Sequence, residues 1–273
     1  MSIMIPPVVH VGTRSQGERE IFRRLHDDPA TKDWIVLHSL DTANHVKNIS
    51  GEVDFVIIIP AKGILCVEVK GCSSLKRYQG QWYYGSDMNP DHRGPFKQAS
   101  EALHTIRNQV IATRPDFSSI VFWSSVIFPY IDFTVRSEEW HEWQVIDSRA
   151  LYSQPIGQLI LSILVQARTF LHEQKKAPWF CPQSEEPDHE QSKVIADMLR
   201  PSFEFFESPG SREERLQTEL KYYTTEQYDA LDAMQENPRV AFVGPAGTGK
   251  TLLAIEAARR GVASGRRRKV RPA

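Results

Sequence analysis

Two apolar segments, Val53 to Ile59 and Ile64 to Val69, are joined by Pro60-Ala61-Lys62-Gly63. Short apolar runs on either side of a Pro/Gly turn read as a β-hairpin, and a hairpin dictates which side chains meet across it. Glu68 and Lys70 stand two residues apart, so the period-two geometry of a strand turns both to one face, shared with Ile64 and Cys66. That face passes from apolar to ionic. With the turn centred near Ala61, antiparallel pairing sets Asp54 about opposite Glu68, Cβ atoms roughly 5 Å apart. Two carboxylates then meet beside one lysine.

Carboxylates held this close raise each other's pKa unless a positive charge lies between them. Lys70 is one such charge; a divalent cation would be another. A pair of hard oxygen ligands with open positions suits Mg²⁺ or Mn²⁺. Such an ion lowers the pKa of a bound water and neutralises charge growing on a phosphorus centre, while a lysine positions the water or stabilises that charge. The alternative is a structural ion-pair network on a half-buried hairpin, for which Glu-x-Lys on a strand is ordinary.

The surrounding periodicities predict helices and strands in alternation. Ser15 or Thr13 can cap a helix from about Gln16 to His26, with Ile21, Phe22 and Leu25 on one stripe, Glu18 in its first turn and Asp27-Asp28-Pro29 to stop it. Trp34 to Leu40 reads as a strand. Phe96 to Ala112 reads as a helix with Gln98 near its start, followed by strands at Ile120 to Phe128 and Trp143 to Ile146 and an apolar helix at Ile156 to Leu171. Strands framed by helices make this an α/β or α+β layered fold.

Four of these segments together resemble the nuclease-related domain, NERD, a branch of the PD-(D/E)xK phosphodiesterases. They are Gly17-Glu18, Gly51-Glu52-Val53-Asp54, Val67-Glu68-Val69-Lys70-Gly71 and Pro95-Phe96-Lys97-Gln98, in the family's order between about Gly12 and Phe128. The resemblance implies a restriction-endonuclease-like mixed sheet flanked by helices. It implies Asp54 and Glu68 as metal ligands, Lys70 as the catalytic lysine, and Glu18 and Gln98 lining the site. Glu18 alone is what a helix dipole favours in a first turn, and Gln98 alone is an ordinary surface residue. Both enter through the motif, and Glu52 is expected to face solvent.

A second constellation lies near the end of the chain. Gly244-Pro245-Ala246-Gly247-Thr248-Gly249-Lys250-Thr251 fits the phosphate-loop pattern GxxxxGK[ST], after an expected strand at Val240 to Val243 and before a helical stretch from Leu252 to Arg260. In such a loop Gly244, Gly247 and Gly249 let backbone N–H groups cradle phosphates, Lys250 reaches the terminal phosphates, and the Thr251 hydroxyl ligates Mg²⁺. Upstream, Tyr223 to Leu231 resembles the adenine-contacting motif of superfamily-one helicases, with Gln227 as the adenine reader; a capping box after Thr224 explains the same residues. The sequence ends at Ala273 in a basic stretch from Gly265, without the second magnesium-binding strand or arginine finger of a complete motor. The expectation is a chain truncated relative to nuclease–helicase fusions, its ATP pocket incomplete, and a basic tail that is solvated and touches phosphate non-specifically.

Between the two, the composition turns polar and proline-bearing from Glu173. The expected organisation is therefore a nuclease-related domain at 1–172, a linker with a short helix at 173–212, and a phosphate-loop fragment at 213–273. A net charge of −1 neither supports nor excludes DNA as a partner. No apolar run reaches the roughly 18 to 20 residues of a membrane span, and Met1 to Gly12 lacks a secretory pattern, so a cytoplasmic protein is expected. Cys66, Cys72 and Cys181 form no CxxC pair and the histidines show no HExxH spacing, which argues against zinc. The function expected is Mg²⁺-dependent DNA phosphodiester hydrolysis. The rivals are a catalytically silent fold that holds DNA or a partner, and a nucleotide-binding fragment on a scaffold.

Overall fold

The hairpin forms about Ala61. In the computed structural model, which describes residues 1–9, 15–42, 51–87, 89–174, 177, 179–205, 208, 210–215, 218, 225, 229, 232, 241, 243–245 and 249–263, the strands in chain order are β1 (Ile3–Ile5), β2 (Ile35–Thr42), β3 (Gly51–Ile59), β4 (Gly63–Val69), β5 (Leu75–Tyr78), β6 (Gln81–Tyr84), β7 (Phe122–Ile127) and β8 (Val145–Ile146). The helices are α1 (Gln16–Asp27), α2 (Gly94–Thr113), α3 (Ser148–Ser153), α4 (Ile156–Glu173), α5 (His189–Leu199) and α6 (Lys250–Ala263). By its contacts the chain divides into two compact units, Met1–Ser202 and Phe203–Ala273.

The first unit is a six-stranded mixed sheet of order β1-β2-β3-β4-β7-β8, flanked by helices. Strands β3 and β4 pair antiparallel from Ile59↔Gly63 to Phe55↔Val67, and the same register one residue further sets Asp54 opposite Glu68. Ala61 takes a left-handed φ of 59°, and Gly63 is at φ 121°. A Cβ on Gly63 would also lie 2.5 Å from the Val121 carbonyl oxygen, so the turn has no room for a side chain there. Strand β4 then runs parallel to β7, with Glu68 beside Val126. A central strand covered on both faces must be apolar nearly throughout; every residue of β4 is buried, and Glu68 is its one charged member.

The two faces sort by parity. Phe55, Ile57, Leu65, Val67 and Val69 pack with Ile21, Phe22 and Leu25 of α1 and with Ile160, Ile163 and Leu164 of α4. Val56, Ile58, Ile64 and Cys66 pack with Leu103, Ile106 and Val110 of α2 and with Ile195 and Leu199 of α5. Glu68 and Lys70 continue the second set, the face expected from their spacing. Among the described residues no helix is long and apolar enough to cross a membrane.

Several elements differ from the sequence reading. Strand β1 escapes it because three residues carry no period. The β5–β6 hairpin escapes it because its turn, Gln79-Gly80, lacks the Asn-Gly or Asp-Gly signature. Both turn residues nevertheless take left-handed φ, 49° and 78°, as the tight hairpin requires. Of the strand expected at Trp143 to Ile146, only Val145–Ile146 pairs; the preceding Glu142–Gln144 is a 3₁₀ turn.

The stretch from Glu173, expected as a linker, folds back on the first unit. Pro187 accepts the Ala61 N–H (2.8 Å), and Glu186 Oε2 accepts the Val121 N–H (3.0 Å). Helix α5, capped by Asp188 and Gln191, seals one sheet face. At its end Arg200 donates to the carbonyls of Ile5 (2.7 Å), His38 (2.8 Å) and Ser39 (2.6 Å). Its polar residues satisfy backbone groups of the sheet and its turns rather than water, which composition alone does not distinguish.

In the second unit, α6 begins at Lys250, so the GK[ST] residues open a helix as expected. Gly249 takes a left-handed φ of 75°. Ala241 and Val243, the described members of the expected strand, are not in a strand, and Val243 is exposed. Gln227 and Gly247 lie outside the described residues, as do most of the segments expected at 225–235 and 240–243.

Candidate active site

Four elements converge where β4 ends. Helix α1 is capped by Ser15, whose hydroxyl accepts the Glu18 N–H at 3.2 Å, so Glu18 sits in the first turn. Gly17 and Gly71 touch: a Cβ on Gly17 would come 2.7 Å from Gly71 Cα. Two glycines thus let the start of α1 rest directly on the chain leaving β4, which brings Glu18 within electrostatic reach of Asp54, Glu68 and Lys70. The motif's Gly17-Glu18 and Lys70-Gly71 are one contact seen twice.

Asp54 Oδ2 accepts the Val69 N–H at 2.7 Å. Glu68 Oε1 pairs with Lys70 Nζ at 2.6 Å. Lys70 Nζ also donates to Gln98 Oε1 at 2.8 Å, from the opening turns of α2, and stands 5.2 Å over the Tyr84 ring of β6. The structure therefore brings Glu18, Asp54, Glu68, Lys70 and Gln98 to one end of β4, while the side chain of Glu52 is exposed.

The electrostatics follow from burial. It lifts the Asp54 carboxyl well above its ordinary value, with the Glu68 charge adding to the rise and the Val69 N–H opposing it. Glu68 is raised by burial and held back chiefly by Lys70, with Asp91 adding to the rise. Burial also raises Glu18, against its Ser15 hydrogen bond, with Glu52 and Glu68 adding to the rise. Beneath Glu18 lies His38, its Nε2 4.0 Å from Glu18 Oε2 and its ring between Phe22 and Phe55; burial lowers its pKa.

One residue is absent from the sequence reading. Asp91 Oδ2 accepts Gln98 Nε2 at 2.7 Å and the Tyr84 hydroxyl at 3.3 Å. It lies in a loop of Asp, Asn, Pro and Gly, where no local period marks it. Among the described residues no group of three or more His, Cys, Asp or Glu side chains is placed to hold a metal ion. Asp54 and Glu68 form a pair of buried, mutually interacting carboxylates at this end of the sheet.

Residues 13–129 match the family model of the nuclease-related domain, NERD. No curated protein and no solved structure matches the chain. The NERD span takes in α1, β2 to β7 and α2, and with them Glu18, Asp54, Glu68, Lys70, Asp91 and Gln98. Residues 130–273, including the phosphate-loop sequence, fall outside the NERD match. The comparison shows residues 13–129 to be similar to a nuclease-related domain, a likeness that suggests nucleic-acid binding.

The raised carboxylates of this site carry a stability consequence. An acid whose folded pKa is raised contributes stability that is fully present below the ordinary carboxylate value and is lost as pH rises through the folded pKa. Asp54→Asn, which keeps an acceptor for the Val69 N–H, is expected to raise Tm by a few degrees at neutral pH in chelator. That gain should shrink as pH falls toward the ordinary carboxylate range. Thermal unfolding across pH checks it; a variant less stable at neutral pH than the native chain contradicts an Asp54 carboxylate destabilised by burial and by the Glu68 charge.

Proposed function

We propose that the first unit is a Mg²⁺- or Mn²⁺-dependent DNA phosphodiesterase. The observation that carries this is the convergence of Glu18, Asp54, Glu68 and Lys70 at one strand end inside the span matching a nuclease-related domain. The donor chemistry fits a hard divalent cation: two neighbouring carboxylates, both raised by burial and Asp54 further by Glu68, stand beside a single lysine, and a cation would offset the cost of ionising them. Asp54 and Glu68 would hold the ion. When bound, it would supply Lewis acidity toward a phosphoryl oxygen and a more acidic water. Lys70, anchored by Glu68 and Gln98, presents a fixed positive charge to the phosphate, and preorganised charge of this kind stabilises the transition state without reorganisation. Glu18 closes the side of the site away from Gln98 and adds to the field that attracts a cation. The free thiols Cys66, Cys72 and Cys181 suit a reducing, cytoplasmic setting.

The test is cleavage of labelled single-stranded, double-stranded and forked DNA with Mg²⁺ or Mn²⁺ against chelator. Metal-dependent cutting supports the reading. A folded chain that binds DNA but does not cut it is a binding module instead.

The phosphate-loop sequence belongs to the proposal as a weak ATP contact. Lys250 Nζ donates to the carbonyls of Gly244 (2.7 Å) and Pro245, bonds that a nucleotide's phosphates would have to replace. Calorimetric titration with MgATP is expected to show weak binding that disappears in Lys250→Ala; equal heats in both chains would remove ATP from the proposal.

A further inference from the structure

A glutamine amide is ambivalent: one end accepts and the other donates, and rotation by half a turn exchanges them. Gln98 faces Lys70 with its oxygen, the only end able to accept from an ammonium group. Asp91 stands at the other end, an acceptor with which only the NH₂ group can bond. The reverse orientation would set the NH₂ group against the Lys70 ammonium and the amide oxygen against the Asp91 carboxylate, two repulsive contacts at once.

Asp91 is itself held from several directions. Its backbone bridges Trp82 twice, through Trp82 N–H to Asp91 O (3.0 Å) and Asp91 N–H to Trp82 O (2.8 Å). Its Oδ1 accepts the Arg93 N–H at 2.9 Å, while Oδ2 takes Gln98 and the Tyr84 hydroxyl. Trp82 in turn is buried against Phe96 of α2, and Gly94, at φ 70°, leaves room for its indole: a Cβ there would lie 2.3 Å from Trp82 Nε1. The β5–β6 hairpin, the loop after it and the start of α2 are thereby locked together around one carboxylate.

We infer that Asp91 is a positioning residue which sets the orientation of the Gln98 amide and, through it, the place of the Lys70 ammonium group. The inference rests on the phosphodiesterase reading only for its catalytic consequence, because the chain Asp91–Gln98–Lys70 is defined by geometry. It explains why a hairpin and loop outside the central sheet border the site: they carry the acceptor that orients the amide.

The test is Asp91→Asn, alone and with Gln98→Glu, in the full chain. The carboxamide of Asp91→Asn has the shape of the carboxylate it replaces but is ambivalent, so the variant loses the orienting effect while keeping the packing. In the double variant the order is rebuilt, since the carboxylate brought in by Gln98→Glu accepts both from Lys70 and from the NH₂ group brought in by Asp91→Asn. Two readouts are used, with folding checked by circular dichroism. The first is the rate at which an amine-acylating reagent modifies Lys70, followed by peptide mass spectrometry. The second is metal-dependent DNA cleavage resolved into kcat and KM. Asp91→Asn is expected to raise Lys70 labelling several-fold and to lower kcat about tenfold with KM little changed; the double variant is expected to restore both. Lys70 labelling unchanged in Asp91→Asn, or failure of Gln98→Glu to restore it, overturns the inference. If labelling behaves as expected while the native chain cuts no DNA, the positioning role stands and the phosphodiesterase reading falls. If native cutting depends on Lys70 and labelling ignores Asp91, the reverse holds.

Discussion

Glu68→Ala and Lys70→Ala are each expected to lower metal-dependent DNA cleavage by a factor of about 10² to 10³, the cost of removing one preorganised charge from a transition-state site. The two losses have different origins. Without Glu68 a bound cation would lose one of its two proposed carboxylate ligands, and Lys70 loses the ion pair that, with Gln98, anchors it. Without Lys70 the carboxylate pair loses its compensating charge, so Glu68, already raised by burial, takes up a proton at still higher pH. Lys70→Ala should therefore shift the acidic limb of the pH–rate profile upward as well as lower its plateau. Because both residues serve one site, the double variant should lose little more than the worse single variant. Single-turnover cleavage by native and variant chains is the measurement; Lys70→Ala within a few-fold of native would remove Lys70 from the chemistry.

The largest expected change in stability comes from Arg168→Ala. Arg168 of α4 pairs with Glu186 Oε1 and donates to the carbonyls of Pro182 and Ser184, both at 3.0 Å. The Glu186 side chain is only 5% exposed, and burial raises its pKa against the opposing pull of Val121 N–H and Arg168. Removing one partner of such a pair strands a buried charge, which costs roughly 3 kcal/mol at neutral pH. For this raised acid the sign is again that stability is lost as pH rises, so the deficit should shrink in acid, where Glu186 is neutral. Arg168→Met with Glu186→Gln, whose uncharged amide keeps an acceptor for the Val121 N–H, should recover much of the loss. Denaturant unfolding at two pH values checks this. Were residues 181–187 a solvated linker, the change would stay within about 0.5 kcal/mol.

That contrast marks where local sequence suffices. The β3–β4 hairpin is legible because its information lies within eighteen residues, Val53 to Lys70: two apolar runs, a turn, and a period of two that places Glu68 and Lys70 on the face of Cys66. Helix α1 is legible for the same reason, through Ser15 and the stripe of Ile21, Phe22 and Leu25. The five residues expected at the site, Glu18, Asp54, Glu68, Lys70 and Gln98, converge, but two of them, Glu18 and Gln98, are suggested only by family resemblance, since neither carries a signal of its own.

The remainder depends on chain segments far apart in sequence. Asp91 reaches Gln98 because a backbone bridge to Trp82 carries its loop across the start of α2. Glu18 comes within electrostatic reach of Lys70 because Gly17 and Gly71 allow two backbones to touch. The polar stretch after Glu173 looks like a linker because composition reports affinity for water, whereas here those groups bond to unpaired backbone of the sheet and its turns. Spacing along a strand or helix is a local property that periodicity exposes; the partner of a polar group is settled only by packing, which brings together donors and acceptors that no local pattern relates.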